Sequence, residues 1–456
     1  MILTKFKSTT VTAIVIANMI GTGVFTSLGF QLMDIQSGFS ILLLWVLGGV
    51  IALCGSMTYA ELGAALPRSG GEYNFLTKIY HPCAGFISGW VSATIGFAAP
   101  TALTAITFSA YLMSLFPDID APWVRQCIAS ALVLSLAITH SSNRKNSGGL
   151  QVIFTILKVS IIIIFCISAL LLAKNIQPIS FKPDAKDIDL ILDGSFAVSL
   201  IYVSYAYTGW NAATYLSSEL EEPQKHLPKI LISGTLIVMV LYVLLNYVFL
   251  TVTPIENMQG KLEIGFIAAQ SAYGDIGARF TGLALALLLI STVSAMTLAG
   301  PRVLQVIGED FSILKFLSKT NQDKIPTTAI YTQSLIAILF ILTSSFESIL
   351  IFAGFTLALN SFATVLGVFV LRVKQPNLTR PYKTFAFPIP PLIYLSLTAW
   401  TLYFVIINRP IEGLFSLTVI ASGGLVYFIS TLLDRNTICL LYTSDAADDL
   451  LCVDLG

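Results

Sequence analysis

The chain has 456 residues, of which 55% are hydrophobic and 11% are charged, and its formal net charge is zero. This composition is too apolar for a soluble domain and predicts a polytopic helical membrane protein. The balanced charge gives no reason to expect a nucleic-acid partner, and the scattered cysteines and histidines predict no disulfide framework, metal site or cofactor.

Twelve apolar windows of about 20 residues, called spans 1 to 12, are long enough to cross a bilayer as helices. They lie near residues 9–31, 40–63, 85–116, 123–140, 150–173, 194–219, 228–253, 279–306, 327–345, 348–372, 386–407 and 411–433. Lysine and arginine are concentrated in alternate connecting segments. The spans predict a multi-pass protein, which we expect in the cell inner (plasma) membrane, and the positive-inside rule predicts that both termini lie in the cytoplasm.

The order of the spans indicates an inverted repeat. Spans 1–5 cover residues 9–173 and spans 6–10 cover residues 194–372, and because five is an odd number the second block starts from the opposite side of the membrane. The first span of each block is interrupted, by Gly21-Thr-Gly23 in span 1 and by "YAYTGWN" (205–211) in span 6. Matching interruptions in two opposed halves predict discontinuous helices around a transporter binding site.

The two interruptions suit opposite charges. The amides of Gly21, Thr22 and Gly23 would open a half-helix whose positive dipole end favours an anion such as a carboxylate. The carbonyls near Tyr205 and Thr208 would end a half-helix and favour an ammonium group. Together they match a zwitterionic amino acid, although glycines in membrane helices also serve close packing or a simple kink.

Aromatic residues surround the span 6 interruption. Tyr205, Tyr207 and Trp210 are either part of the bundle core or close over a ligand. Tyr205 lies at the edge of the interruption, and we predict that it is the gate.

Span 5 contains a lysine, Lys158, in the apolar run "QVIFTILKVSIIII". A charge at that depth is costly without a partner. Three interpretations are open: the side chain snorkels to the interface, it tethers neighbouring helices, or its ammonium replaces a sodium ion between span 1 carbonyls and span 8 hydroxyls. Span 8 offers Ser291, Thr292 and Ser294 for the third, which predicts sodium independence and, if Lys158 titrates, proton coupling.

Four patches carry a resemblance to a known family: "IGTGVF" (20–25), "YAELGAALPRSGGEYNFL" (59–76), "YAYTGWNAATYLSSELEEPQKHLPKIL" (205–231) and "AGPRVLQVIGED" (299–310). The chain resembles the sodium-independent bacterial, light-subunit-like branch of the amino acid–polyamine–organocation (APC) superfamily, over residues 8 to about 433. The resemblance implies an all-α, LeuT-like fold of twelve transmembrane helices. It has a five-plus-five inverted repeat, discontinuous helices 1 and 6, and two additional helices at 386–433.

The resemblance also implies roles for individual residues. In the family the span 1 motif binds the substrate carboxylate, and a span 5 lysine, here Lys158, stands in for sodium. The implied substrate ligands are Gly21, Thr22 and Gly23, the Ile20 carbonyl facing the amino group, Tyr205 and Thr208 through their carbonyls, and Asn211 as a lining residue. The segments 67–73 and 221–228 match inner-gate and loop signatures, not substrate ligands.

These features predict a secondary active transporter that works by alternating access, with sodium-independent uptake or exchange of small neutral L-amino acids. The resemblance implies a narrower pocket, because Thr208 stands where many family exchangers of larger neutral amino acids have glycine, and neither interruption contains an acidic residue. A proton-coupled permease of broader range and an antiporter of polyamines or cationic amino acids are the alternatives. An ion channel would need a continuous polar stripe, and an intramembrane enzyme would need a catalytic motif that the spans lack. The expected partners are the amino acid substrate and the lipid bilayer, and no obligatory protein partner is implied.

The end of the chain fits no span. Residues 439–456, "CLLYTSDAADDLLCVDLG", resemble translated sequencing-adapter read-through. We therefore expect the transporter domain to cover residues 1–438 and the rest to be a non-native tail.

Overall fold

A computed structural model describes the backbone of residues 7–68, 70–142 and 147–445. Within these ranges the side chains of residues 147–152, 216, 218, 219, 312 and 434–445 are not described. The predicted non-native tail, residues 439–456, lies outside the described residues from 446 onward, and none of its side chains is described.

The first half of the chain contains eight α-helices. They are α1 (Ser8–Met19), α2 (Gly23–Asp34), α3 (Gly38–Ala65), α4 (Glu72–Ile79), α5 (Pro82–Val91), α6 (Ala98–Met113), α7 (Pro122–Ser142) and α8 (Ser147–Leu172). A π-helical turn, Ser92–Gly96, joins α5 to α6 within span 3. Span 1 is therefore broken into α1 and α2, as the sequence predicts.

The second half continues with nine α-helices. They are α9 (Ala185–Leu192), α10 (Gly194–Ala206), α11 (Pro223–Val252), α12 (Ile255–Met258), α13 (Ile264–Asp310), α14 (Thr327–Thr343), α15 (Phe346–Lys374), α16 (Ile389–Asn408) and α17 (Pro410–Asp445). Span 6 consists of α10, an irregular turn and a 3-10 helix, Ala212–Glu219. The predicted break in span 6 is confirmed.

Each of the twelve predicted spans coincides with a helix or a broken helix. Ten are long and apolar enough to cross a membrane by themselves. The other two are short: α14 has 17 residues, and α10 follows α9 at a bend of 72°. All the regular elements of the described ranges are helices, so the prediction of an all-helical membrane fold with discontinuous spans 1 and 6 is confirmed.

Helix α8 shows how the sequence orients an element in the bundle. Ile156, Ile163, Ile167 and Leu171 recur at helical spacing and are 40–78% exposed on the protein surface, where lipid would cover them. Lys158 lies on the opposite face of the helix and is only 3% exposed. The lysine therefore points into the bundle, and the snorkelling interpretation is wrong.

The core between α3 and α11 fixes the position of span 6. Tyr207 packs against Trp45 and Tyr242, with ring centroids 6.2 and 5.0 Å away. The Tyr207 hydroxyl donates to the Trp45 carbonyl oxygen at 3.0 Å, and the Trp45 indole donates to Gln31 on α2 at 3.1 Å. Aromatic pairs of this kind contribute about 0.5–1.5 kcal/mol each beyond their buried area, so Tyr207 belongs to the core.

Candidate functional site

A cavity of about 120 Å³ lies between the two broken helices. Spans 3, 8 and 10, together with the first residue of α4, complete its walls. The residues of spans 1 and 6 that line it are Asn18, Met19, Gly21, Thr22, Gly23, Tyr205, Ala206, Thr208, Gly209, Asn211, Ala212 and Tyr215. Six of the seven predicted substrate residues are thus brought together, and Ile20 is not among the lining residues.

At the span 1 break, the Gly21 amide donates to the Met19 carbonyl oxygen at 2.8 Å and is occupied. This corrects the expectation that Gly21, Thr22 and Gly23 all offer free amides. Helix α2 begins at Gly23, and the first amides of a helix have no partner within it. The available anion-binding donors are therefore the amides of Thr22 and Gly23, at the positive end of α2.

At the span 6 break, Gly209 has φ +99°, a conformation that glycine adopts most readily. A Cβ there would also lie 2.9 Å from the backbone of Asn18. The Tyr205 carbonyl oxygen accepts from the amide and the hydroxyl of Thr208, at 2.9 and 2.7 Å. Two donors of Thr208 thus already bind the Tyr205 carbonyl oxygen. The expectation that this carbonyl is free to accept from a substrate ammonium is wrong in this conformation.

The two breaks touch each other at Gly23 and Ala206. A Cβ on Gly23 would lie 2.5 Å from Cα and 2.6 Å from Cβ of Ala206. Gly23 therefore permits the close approach of α2 and α10. Gly21 is different, since a Cβ there would meet nothing closer than 4.0 Å.

Lys158 connects spans 1, 5 and 8. Its ammonium donates to the Ile20 carbonyl oxygen at 3.2 Å and to the Thr292 hydroxyl at 2.7 Å. The Ile20 carbonyl is thus engaged by Lys158, and Ile20 is not among the residues that line the cavity. Its role facing the substrate amino group stays a prediction.

Of the three span 8 hydroxyls predicted to contact Lys158, Thr292 is the one that does so among the described hydrogen bonds. Ser294 lies 2.8 Å from the His140 ring nitrogen on α7, and the described hydrogen bonds of Lys158 do not include Ser291 or Ser294. Each residue of a helix is turned about 100° from the one before it, so Thr292 faces Lys158 while its neighbours point elsewhere.

Tyr242 on α11 is a site residue that the sequence analysis did not identify. Its hydroxyl lies 2.5 Å from the Met19 carbonyl oxygen and 3.2 Å from that of Ala206. These carbonyls end the first half-helices of spans 1 and 6, where intrahelical donors are missing. A hydroxyl has one proton to donate, so the Met19 and Ala206 carbonyl oxygens share the Tyr242 hydroxyl as a donor.

Glu72, the first residue of α4, is a second site residue that was missed. It lines the cavity and accepts hydrogen bonds from Asn211 at 3.2 Å and from Ser361 at 2.8 Å. Neither interruption contains an acidic residue, yet the fold brings a carboxylate from the connecting segment to the span 6 break. The segment 67–73 therefore contributes a side chain to the cavity wall.

Comparison with known proteins agrees with this architecture. A family model described as amino acid permease matches residues 6–432. The b(0,+)-type amino acid transporter 1 of Homo sapiens is 28% identical over 433 residues, covering 91% of this chain and 86% of the relative. The large neutral amino acids transporter small subunit 2 of Mus musculus is 27% identical over 424 residues, covering 91% of this chain and 79% of the relative.

Proposed function

This chain belongs to the amino acid permease family, and from that premise we propose that it transports amino acids by alternating access, as a sodium-independent carrier or exchanger of small neutral L-amino acids. The observation that carries the proposal is the cavity between the broken ends of spans 1 and 6. Residues 9–173 and 194–372 are the proposed inverted repeats, with residues 386–433 as two additional helices.

The substrate carboxylate binds to the amides of Thr22 and Gly23. Both face the cavity at the start of α2, and no charged side chain is needed to hold an anion at a helix N-terminus. The amino group lies towards the span 6 turn, near Thr208 and Asn211. The cavity volume of about 120 Å³ suits a small side chain.

Tyr205 is the proposed gate. Its side chain is 5% exposed and lines the cavity directly beside the turn. A rotation of α10 against α2 would move Tyr205 together with the end of its half-helix.

Sodium independence is supported by Lys158. Its ammonium lies between the broken end of span 1 and a hydroxyl of span 8, where a sodium ion would use the same oxygen ligands. An ammonium at this place supplies the positive charge without a bound sodium ion.

The protein is a multi-pass membrane protein, and we propose the plasma membrane with both termini in the cytoplasm, as the positive-inside rule favours. We also propose that it needs no obligatory protein partner, since the predicted loop between spans 3 and 4, residues 117–124, contains no cysteine that could link one. One of the compared relatives carries the words "small subunit" in its name, and transport by the purified chain without a second protein tests this independence.

The test is uptake and exchange of labelled alanine by the purified chain alone in proteoliposomes. Competitors are unlabelled serine, leucine, lysine and putrescine, with and without sodium and with and without a pH gradient. We expect sodium-free exchange of alanine that serine inhibits most. Absence of uptake for every labelled amino acid would contradict transport, a sodium requirement would contradict the role of Lys158, and inhibition mainly by lysine or putrescine would support the cationic alternative.

A further inference from the structure

Glu72 is the only charged side chain among the residues described around the cavity. It is 2% exposed, and hydrogen bonds from three surrounding elements converge on its carboxyl group. The donors are Tyr59 on α3, Asn211 at the span 6 break, and Asn360 and Ser361 on α15. Glu72 thus joins α4 to three other elements of the bundle.

The carboxyl group has no cationic partner within the described part of the chain. The nearby Glu61 provides a contrast, because Arg372 binds its two carboxylate oxygens at 2.9 and 2.7 Å. An ionised carboxylate that is buried without a cation costs several kcal/mol. The free-energy cost is avoided if Glu72 holds a proton while it is buried.

The surroundings of Glu72 suit a neutral carboxyl group. The titratable groups that face it are the phenols of Tyr59, Tyr215 and Tyr394, from α3, the 3-10 helix of span 6 and α16. Helix α15 contributes an amide and a hydroxyl. Burial raises the pKa of the Glu72 carboxyl above its ordinary value, although its four hydrogen bonds act in the opposite direction.

The hydrogen bonds can be satisfied in both protonation states. The Ser361 hydroxyl donates to a carboxylate and can instead accept from a protonated carboxyl group, while the other three groups remain donors to its oxygens. The cavity on one side of Glu72 offers a route for a proton once the packing around it opens.

We propose that Glu72 is a proton-binding site of the transport cycle, protonated while α3, α4, α15 and the span 6 break are packed around it and ionised when they separate. On separation the carboxyl O–H bond breaks, the proton passes to water and the carboxylate becomes hydrated. On closure the carboxylate takes a proton from water. The proposal rests on the proposed function, because the release step needs a carrier that alternates between the two arrangements.

Infrared difference spectroscopy of the full chain in sodium-free proteoliposomes tests the site without requiring transport. We expect the C=O stretch of a protonated carboxyl group that titrates well above about pH 4.3, the ordinary value for glutamate, and that disappears in Glu72→Gln. The control is Glu61→Gln, which removes a carboxylate paired with arginine and should keep the band. A band that survives in Glu72→Gln, or that titrates at the ordinary value, would overturn the proposal.

The second variant, Tyr59→Phe, keeps the carboxyl group and removes one donor to its ionised form. We expect the midpoint of the band to move to higher pH, and an unchanged midpoint would overturn the proposal even if Glu72→Gln fails to fold. A purely structural role for Tyr59 would lower stability without moving the midpoint.

Labelled alanine exchange connects the site to the cycle. Over the pH range in which the band titrates, we expect the wild-type rate to change by up to about tenfold per pH unit and the Glu72→Gln rate to be nearly constant. If Glu72→Gln keeps the wild-type pH profile but is no longer inhibited by lysine, Glu72 binds a substrate cation instead, and the proposal is overturned. If wild-type protein transports no amino acid at any pH, the proposed function fails, whereas the infrared result still reports on the proton.

Discussion

The Lys158 ammonium lies 3.2 Å from the Ile20 carbonyl oxygen, so a cation on span 5 supports span 1 where its first half ends. That carbonyl has lost its intrahelical donor, and the C-terminal end of a helix favours positive charge. The same ammonium binds the Thr292 hydroxyl at 2.7 Å. One side chain therefore couples three spans at the edge of the cavity.

Replacing Lys158 by methionine should give a folded protein with at least about tenfold slower alanine exchange. The substitution keeps the apolar stem but leaves the Ile20 carbonyl unsatisfied, at a cost of about 1–3 kcal/mol. Exchange in proteoliposomes and thermal unfolding in detergent measure the two effects separately.

The matched variants lie on span 8. Thr292→Val should slow exchange because it removes the second acceptor for Lys158, whereas Ser291→Ala should have little effect. If Ser291→Ala is as impaired as Thr292→Val, the assignment of the partner is wrong.

Alanine at Gly21 and at Gly23 should have different consequences. A methyl group at position 21 fits and extends towards the cavity, so Gly21→Ala should fold normally and raise the alanine concentration needed for half-maximal exchange. A methyl group at position 23 would overlap Ala206, and overpacking of this kind costs about 1–3 kcal/mol. Gly23→Ala should therefore unfold at lower temperature and lose exchange, and equal stability of the two variants would contradict the contact between spans 1 and 6.

Tyr242→Phe should destabilise the broken ends of both spans. It removes the shared donor to the Met19 and Ala206 carbonyl oxygens. The Met19 carbonyl keeps the Gly21 amide as a donor, but the buried Ala206 carbonyl loses its donor, at a cost of about 1–3 kcal/mol. Tyr247 lies on the same helix, is 36% exposed and packs against Phe181. Tyr247→Phe is the control, and a similar loss of stability and exchange in both variants would show that the effect is not specific to the breaks.

The sequence predicts those site features that are local in the chain. Two glycines beside a threonine weaken a helix wherever they occur, and a lysine in an apolar run such as that around Lys158 demands a partner. These signals were sufficient for the two breaks, whereas the inward position of the lysine stayed one of three interpretations and was decided by its burial in the structure.

The remaining site features depend on how helices are rotated and packed. Lys158 binds Thr292 and not its neighbours because of how α13 is rotated about its own axis. The sequence "ISTVSAM" alone does not give that rotation. Tyr242 is one tyrosine in a long apolar helix, and its importance arises from the two carbonyls that the fold brings to it. Glu72 comes from a segment outside the spans, and only tertiary structure carries it to Asn211.

Asp187 provides a pH-dependent prediction outside the spans. Its carboxylate accepts from the hydroxyls of Ser37 and Ser40, at 2.5 and 2.8 Å, and from the Asp184 amide at 2.7 Å. Burial alone would raise the pKa of Asp187, but these hydrogen bonds lower it below the ordinary value. A lowered pKa in the folded state means that the stabilisation is present above the unfolded-state pKa of about 3.9 and is lost as the pH falls through the folded-state pKa.

Asp187→Asn should therefore lower the unfolding temperature at neutral pH, because hydrogen bonds to a charged group contribute about 1.5–3 kcal/mol each at most. The difference from wild type should shrink as the pH is lowered below about 4. Asp189, exposed on the same helix α9, gives the matched control Asp189→Asn, which should unfold like wild type. A difference between Asp187→Asn and wild type that stays constant down to acid pH would mean that packing, and not the ionised carboxylate, holds α9 to the start of α3.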